Sequence, residues 1–258
     1  MSSEALSEDE KLTFLNTAVS TMARYTFPFI GSVLKVESAE MGLHVGSALR
    51  LRLGRRRFLL SARHVFQEAG LPMAASAVRG SAPIELPGES CFEHEAMDIR
   101  ADELPAAYPD LDGGFWPENA VDATDQMLAT DYLFLHGFPA ATSNSSALLG
   151  GVVSQSLPYG AMLRDDNLPS DMKAFQFAMD FDPANFRAPD GSSSDWVDPR
   201  GLSGSPIWRI GAGGGTVSEW RPSMCRLVGI VTQWRPDQKL IVATKVSAFW
   251  EALLSTRG

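Results

Sequence analysis

Cysteine, concentrated positive charge and long apolar runs are what this sequence lacks. Its 258 residues include only two cysteines, Cys91 and Cys225, too few for a secreted scaffold held together by disulfides. The formal net charge of -9 at pH 7 disfavours binding to nucleic acids, which requires a concentrated positive field. No apolar run approaches the ~20 residues that span a bilayer. We therefore expect no nucleic-acid partner and no membrane span.

The start of the sequence also lacks the basic-then-apolar order of a secretory signal, because residues 1–11 are polar and acidic. Together with the scarcity of cysteine, this predicts a cytoplasmic protein. The length and the 45% hydrophobic content suffice for a substantial core, so disorder is not expected.

Helical periodicity is confined to the two ends of the sequence. Ser7 and Glu10 match a capping box, and the apolar residues that follow predict an amphipathic helix over about residues 8–24. We expect this helix to pack on the body of the protein, and a regulatory partner that docks on it is the alternative. Apolar residues at helical spacing from Val246 to Leu253 predict a short terminal helix.

Between these helices the pattern is that of an all-β protein. Short apolar or alternating runs are separated by glycine, proline, asparagine and aspartate, which is typical of sandwiches and barrels. A region rich in proline, glycine and acidic residues at 105–125 suits a connection between two lobes.

A serine between glycines, Gly201-Leu202-Ser203-Gly204, directly precedes one of the apolar runs. Glycines let the backbone turn sharply and let a substrate carbonyl approach the amides of Gly201 and Ser203, which would then form an oxyanion hole. A plain turn rich in glycine and serine is the alternative interpretation of this segment.

Chain order narrows the type of serine hydrolase. All four histidines precede Ser203; they are His44, His64, His94 and His136. An α/β-hydrolase needs its histidine after the serine, and a subtilisin-like order needs an aspartate before the histidine. Only the order His, Asp, Ser fits well. His64 follows a predicted strand and is our candidate base, whereas His44 is expected to face solvent and His136 to stabilise a turn.

These residues resemble the motifs of a known family. Ser61-Ala62-Arg63-His64 is similar to the Thr/Ser-Ala-Ala-His motif of chymotrypsin-like serine peptidases, and residues 201–206 resemble their Gly-Asp-Ser-Gly-Gly-Pro motif. Residues 45–49 resemble the Gly-Ser-Gly-Phe strand of the family, and residues 227–232 resemble its pocket strand. The segment 135–139 is similar to a Gly-Tyr-Pro turn of the bacterial, intracellular trypsin-like branch. The resemblance extends from about Phe27 to Leu254.

The resemblance implies a fold of two six-stranded antiparallel β-barrels with an N-terminal and a short C-terminal helix. We divide the chain accordingly into a helical leader (1–25), a first lobe (26–120) and a second lobe (121–258). It also implies a serine endopeptidase that acts on a protein or peptide substrate and needs neither a cofactor nor a metal. A catalytically silent module that binds peptides and a serine esterase are the alternatives.

Roles for single residues follow from the same resemblance. His64 is the general base, Ser203 the nucleophile, and the amides of Gly201 and Ser203 hold the oxyanion. Asp98 is the acid that orients the base; Asp102 is its rival, because Arg100 stands where the family has a small residue. Thr232 is expected to support the acid by a hydrogen bond. The expected substrate contacts are Val197, Val231, Thr232 and Gln233.

Overall fold

The computed structural model describes residues 8–38, 41–76, 84–86, 88–104, 114–146, 151–182, 198–210 and 220–256. Within these ranges the chain is mostly β, which confirms the predicted fold class. The helices are α1 (Glu8–Thr26), α2 (Arg63–Ala69) and α3 (Trp250–Ser255). The predicted terminal helices are therefore present, and α2 is an element that the apolar periodicity does not indicate.

The first sheet has eight strands and curls on itself. Its strands are β1 (Ile30–Ser38), β2 (Met41–Leu53), β3 (Arg56–Ala62), β4 (Met73–Ser76), β5 (Ile84–Leu86), β6 (Ser90–His94), β7 (Ile99–Glu103) and β8 (Trp116–Pro117). They follow the order β5-β4-β1-β2-β3-β7-β6, and β8 pairs with β2.

The first sheet thus has more strands than the six expected for this lobe, and one pair is parallel. Strand β2 is 13 residues long, and its pairing with β1 ends where Ile30 meets Leu49. Leu51 and Arg52 are then free to pair in parallel with β8. The length of β2 accounts for the extra strand. The part of β2 beyond β1 has backbone N–H and C=O groups on that side, and β8 supplies their hydrogen-bond partners.

The second sheet is a closed barrel of six antiparallel strands in the order β12-β13-β16-β15-β14-β9. The barrel strands and an additional hairpin, β10-β11, are β9 (Tyr132–Gly137), β10 (Ser143–Ser146), β11 (Gly151–Ser154), β12 (Leu157–Arg164), β13 (Gln176–Asp180), β14 (Pro206–Ile210), β15 (Arg226–Arg235) and β16 (Leu240–Lys245).

A single apolar cluster joins the first sheet, the barrel and both terminal helices. Trp116 of the first sheet meets Trp208 of the barrel edge-on, with ring centroids 5.4 Å apart, and both are fully buried. Ala18 and Met22 of α1 are fully buried in the same cluster, so the apolar face of α1 packs on the body as predicted. Burial of each large apolar side chain contributes about 1.5–3 kcal/mol to the stability of the fold. This cluster therefore holds the two sheets in a fixed relative position.

Candidate active site

Strand pairing in the first sheet brings His64 and Asp98 together. β3 ends at Ala62, β7 begins at Ile99, and these two residues are paired across the strands. His64 lies in the first turn of α2, two residues beyond Ala62, and Asp98 directly precedes Ile99. The sheet register therefore juxtaposes two side chains that lie 34 positions apart in the sequence.

The imidazole of His64 is hydrogen bonded to the carboxylate of Asp98. Its Nδ1 donates to Oδ2 over 2.6 Å, and the backbone amide of His64 donates to Oδ1 over 3.0 Å. Because a carboxylate oxygen only accepts, Nδ1 carries the hydrogen of the neutral ring and Nε2 keeps its lone pair. The side chains of His64 and Asp98 are 40% and 31% exposed, so the ring is accessible to a reacting molecule.

The turn that carries Asp98 is held from both sheets. Asp98 has a φ of 55°, a left-handed conformation that aspartate tolerates better than most residues. Its carbonyl accepts from the amide of Arg63 over 3.0 Å. From the barrel, Thr244 Oγ1 donates to the carbonyl of Met97 over 2.8 Å. These bonds fix the carboxylate relative to the imidazole.

Asp102, the rival carboxylate, belongs to a different network. Its buried side chain accepts from Arg100, with Nε at 2.7 Å from Oδ1 and Nη2 at 3.0 Å from Oδ2. The guanidinium of Arg100 also lies over the ring of Phe66 in α2. Burial raises the pKa of Asp102, and the bonds from Arg100 oppose that rise. The arginine that departs from the resembled motif is therefore the partner of Asp102.

The loop of Ser203 connects the barrel to the first sheet. The carbonyl of Ser203 accepts from the amide of Ser47 in β2 over 2.8 Å. On the barrel side, the amide of Gly204 donates to the carbonyl of Val231 over 2.8 Å. The amide of Val231 in turn donates to the carbonyl of Ser205 over 2.9 Å. The serine is thus fixed between β2 and β15.

Gly46 marks the point where the Ser203 loop and the helix of His64 meet. A Cβ atom at position 46 would lie 2.6 Å from both methyl carbons of Val65 and 3.1 Å from the carbonyl oxygen of Ser203. Val65 directly follows His64 in α2. The missing side chain lets α2 and the serine loop approach the same point of β2.

Two backbone amides beside Ser203 remain available as donors. Among the backbone hydrogen bonds of the described residues, none is donated by the amide of Gly201 or by that of Ser203. Gly201 and Ser203 are half-buried, so their amides, one on each side of Leu202, can donate to an acceptor from outside the chain.

Gly204, which follows Ser203, lies where the surrounding atoms leave no space for a side chain. Gly204 has a φ of 83°, and a Cβ atom there would overlap Ser61 Oγ and the carbonyl oxygen of Ser47. We expect Gly204→Ala to lower the free energy of unfolding by about 3 kcal/mol or more, because left-handed strain and overpacking add.

Gly54→Ala is the matched control for this prediction, because Gly54 also has a positive φ of 59° but nothing lies within 4 Å of its added Cβ atom. It should cost about 1 kcal/mol. Urea unfolding of the two variants measures the difference, and equal costs would mean that the space beside Gly204 is not as tight as described.

Comparison with known proteins supports the fold. No protein-family model matches the chain, and no curated protein matches it. Among solved structures, the crystal structure of Rv3671c from M. tuberculosis H37Rv, a serine-to-alanine mutant in an inactive form, is similar with a TM-score of 0.51 and 12% sequence identity. The similarity covers 93% of each chain. The fold is that of a chymotrypsin-like serine protease.

Two expectations drawn from the chymotrypsin-like family need correction. Thr232 Oγ1 is buried without a hydrogen-bond partner among the described residues, so it does not support Asp98. The register of β15 and β16 shifts between Val231 and Gln233, which leaves Thr232 without a cross-strand partner. The bond from Thr244 to the Asp98 turn supplies a contact from the barrel instead.

Val231 is also not a substrate contact. Its side chain is 2% exposed, and its amide and carbonyl both bond to the segment that follows Ser203. Val231 anchors the serine loop instead. Gln233 is exposed and lies two residues beyond Val231. The proposed pocket residue Val197 lies outside the described residues.

His44 was expected to face solvent, and the structure buries it at 5% exposure. Its Nε2 lies 2.8 Å from the carbonyl oxygen of Phe138, and its Nδ1 lies 2.5 Å from Ser32 Oγ. A carbonyl only accepts, so Nε2 donates and Nδ1 accepts from the serine. The sequence does not reveal this burial because Phe138 is 94 positions away.

His136 is buried at the junction of α1 and the barrel. Its Nδ1 lies 2.7 Å from Thr26 Oγ1, the last residue of α1, and its Nε2 lies 2.9 Å from Ser156 Oγ. Thr26 already donates its single hydroxyl hydrogen to the carbonyl of Met22, so Nδ1 of His136 is the donor. The ring therefore ties α1 to the barrel in its neutral form.

The two buried histidines predict that stability falls below neutral pH. Burial lowers the pKa of His44 to about 4 and that of His136 to about 3, against an ordinary value of 6.5. Their neutral forms stabilise the fold fully above pH 6.5, and this contribution is lost as the pH falls towards the folded-state values.

We expect each buried histidine to lower the free energy of unfolding at pH 5 by on the order of 2 kcal/mol relative to pH 7. Urea unfolding at pH 7, 6 and 5 measures the slope, in a window where carboxylates scarcely titrate. His136→Gln should halve the slope. A free energy of unfolding that stays constant from pH 7 to 5 would contradict the assignment.

Neither a metal site nor a membrane span is found in the part of the chain that the structure describes. No group of three or more histidine, cysteine, aspartate or glutamate side chains there could hold a metal ion. Likewise, none of the helices described is long and apolar enough to cross a bilayer.

Proposed function

We propose that this protein is a serine endopeptidase in which Ser203, His64 and Asp98 act together. The observation that carries the proposal is the 2.6 Å bond between His64 Nδ1 and Asp98, in a helix that meets the loop of Ser203 at β2. The similarity in fold to a serine protease supports the same class of chemistry. A serine, a histidine base and an aspartate that orients the histidine are the groups that perform hydrolysis by acyl transfer.

The tautomer of His64 suits a general base. With hydrogen on Nδ1, the lone pair on Nε2 is free to take the proton of Ser203 as its oxygen attacks a substrate carbonyl. Asp98 holds the tautomer and stabilises the imidazolium that forms. The same proton then passes to the leaving amine, which departs and leaves the acyl group on Ser203. Water reverses these steps with His64 again as base and releases the acid.

The amides of Gly201 and Ser203 are the proposed oxyanion donors. In the attack on a carbonyl, negative charge develops on its oxygen, and donors fixed in advance stabilise that charge without reorganisation. Neither amide donates to a backbone acceptor among the described residues.

The exposed end of β15 is the proposed binding edge for the substrate backbone. β14 pairs with β15 only as far as Ile230, whereas β15 continues to Arg235. No described strand pairs with residues 232–235 on this side, which leaves an edge beside the Ser203 loop where an extended peptide can add as a strand. We keep Thr232 and Gln233 as proposed substrate contacts on this basis, and we propose Val197 as one from the family resemblance.

Cleavage of a peptide library, read by mass spectrometry, tests the reaction class. The proposal predicts new peptide termini in the wild-type digest that are absent from a Ser203→Ala digest. Hydrolysis of an ester but not of the matching amide would show that the protein is an esterase and not a peptidase. Measurable peptide affinity without any cleavage would replace it by a silent binding module.

A further inference from the structure

The loop around Ser203 has four consecutive carbonyl oxygens that are all hydrogen bonded. Their donors come from three parts of the chain. The pairs are Ala140 N to Arg200 O at 2.7 Å, Ser47 Oγ to Gly201 O at 2.9 Å, Ser205 N to Leu202 O at 2.9 Å and Ser47 N to Ser203 O at 2.8 Å. Ser47 supplies two of these four donors, one from its amide and one from its hydroxyl, and the His44 ring also interacts with the backbone of Gly201.

These carbonyl bonds set the direction of the two proposed oxyanion donors. In a trans peptide the C=O and N–H groups point in opposite directions, so a bond to the carbonyl of Arg200 aims the amide of Gly201 the other way. A bond to the carbonyl of Leu202 does the same for the amide of Ser203. The peptide between these two donor peptides carries the carbonyl of Gly201, and Ser47 Oγ bonds it.

The hydroxyl of Ser47 connects that middle peptide to a neighbouring turn. It accepts from the amide of Phe138 over 2.8 Å and, having one hydrogen, donates it to Gly201 at 2.9 Å. The carbonyl of Phe138, at 3.5 Å, is too distant to compete. The neutral ring of His44 packs behind Gly201, because a Cβ atom there would lie 2.7 Å from His44 Nε2.

Ser47 is itself rigid. It is fully buried in the middle of β2, and it pairs with Ser32 of β1. Its carbonyl accepts from Ser61 Oγ in β3 over 2.6 Å. A hydroxyl fixed by three neighbouring strands therefore sets the position of a glycine peptide, which has the most conformational freedom in the loop.

We propose that Ser47 is a positioning residue that fixes the spacing of the Gly201 and Ser203 amides. Its hydroxyl stabilises the transition state through the peptide between them and does not touch the substrate. This inference rests on the proposed function and deepens it, because a side chain of the first sheet would then set the geometry of the oxyanion hole.

Ser47→Ala tests the inference, since it removes the bond to Gly201 O and keeps the backbone bond to Ser203 O. We expect kcat to fall about 10- to 100-fold with KM changed less than about twofold, as for a misplaced catalytic group. Affinity for a peptidyl trifluoromethyl ketone, which forms an oxyanion on the serine, should fall in the same proportion. Affinity for the cleaved product peptide should not change.

Ser143→Ala is the matched control, because the buried hydroxyl of Ser143 has no partner among the described residues. Its kinetics and melting temperature should equal those of the wild type. Should Ser47→Ala fail to fold, Ser47→Cys keeps a side chain of similar shape with a weaker donor, and the same split between kcat and KM is expected.

Three results would overturn the positioning role. Wild-type kinetics in Ser47→Ala would show that the hydroxyl is dispensable. Equal loss of affinity for ketone and product would reveal a general structural defect. A wild-type protein that neither cleaves peptides nor reacts with a fluorophosphonate would remove the proposed function and this inference together, whereas an active wild type isolates the failure to Ser47.

Discussion

Replacing Ser203 by alanine is expected to lower kcat for peptide hydrolysis by roughly 10⁴- to 10⁶-fold without unfolding the protein. The change removes only the hydroxyl oxygen. The carbonyl of residue 203 keeps its bond to the amide of Ser47, and the amide of residue 203, a proposed oxyanion donor, is unchanged. KM and the melting temperature should therefore remain close to wild type.

The proposed partnership of Ser203 with His64 leads to a second expectation for the same variant. His64→Ala should cost about as much as Ser203→Ala, and the double variant should cost no more than either, since groups that act as a unit are not additive. Steady-state kinetics of the four proteins on one peptide substrate measure this. Losses that multiply in the double variant would show that the two residues act separately.

Asp98→Asn is expected to lower kcat by roughly 10⁴-fold with an intact fold. An asparagine amide can donate to Nδ1 of His64, which would move the ring hydrogen to Nε2 and remove the lone pair that the proposed mechanism requires there. The loss is thus one of tautomer and not of structure. Kinetics and thermal unfolding of the same preparation distinguish these effects.

Asp102→Asn is the matched control for Asp98→Asn, because it makes the same replacement in β7, four residues beyond Asp98. Asp102 is fully buried and paired with Arg100, so the change takes from the guanidinium its buried carboxylate partner and should cost about 3 kcal/mol of stability. Turnover of the folded fraction should stay within about tenfold of wild type. The reverse pattern, an unstable Asp98→Asn and an inactive Asp102→Asn, would exchange the roles of the two carboxylates.

Much of the all-β fold could be predicted because local patterns mark its strands. The runs that form β2, β9, β14 and β15 are apolar or alternating, and turn residues separate them. Strands with mixed residues carry no such signal. β7 contains Arg100 and Asp102, which resemble a polar loop unless their ion pair is known, and β12 contains Pro158 and Gly160, of which the glycine makes room for Val19 of α1.

The helix of His64 could not be predicted, for a local reason. α2 has seven residues, follows β3 without a turn and has Ala62 as its N-cap, with no side-chain cap bond. None of the usual signals for a helix start is present. Its position is set by packing, since Val65 and Phe66 are buried beneath it.

The site residues differ in how far sequence motifs could reveal them. Short motifs contain His64 and Ser203, so the sequence alone proposes these two, whereas it leaves Asp98 and Asp102 as alternatives until their hydrogen bonds are known. The proposed positioning residue Ser47 bonds to the carbonyl of Gly201, and the buried His44 bonds to that of Phe138; these carbonyls are 154 and 94 positions away. Backbone acceptors leave no mark in a sequence, so these contacts appear only when the chain is folded.

Labelling with a fluorophosphonate tests the central claim most directly. The reagent bonds to a serine oxygen whose proton a base removes, and peptide mapping by mass spectrometry identifies the modified residue. We predict one adduct per molecule, on Ser203, formed by the folded wild type and lost in His64→Ala and after unfolding. Equal labelling of Ser203→Ala, or an adduct on another residue, would contradict the account.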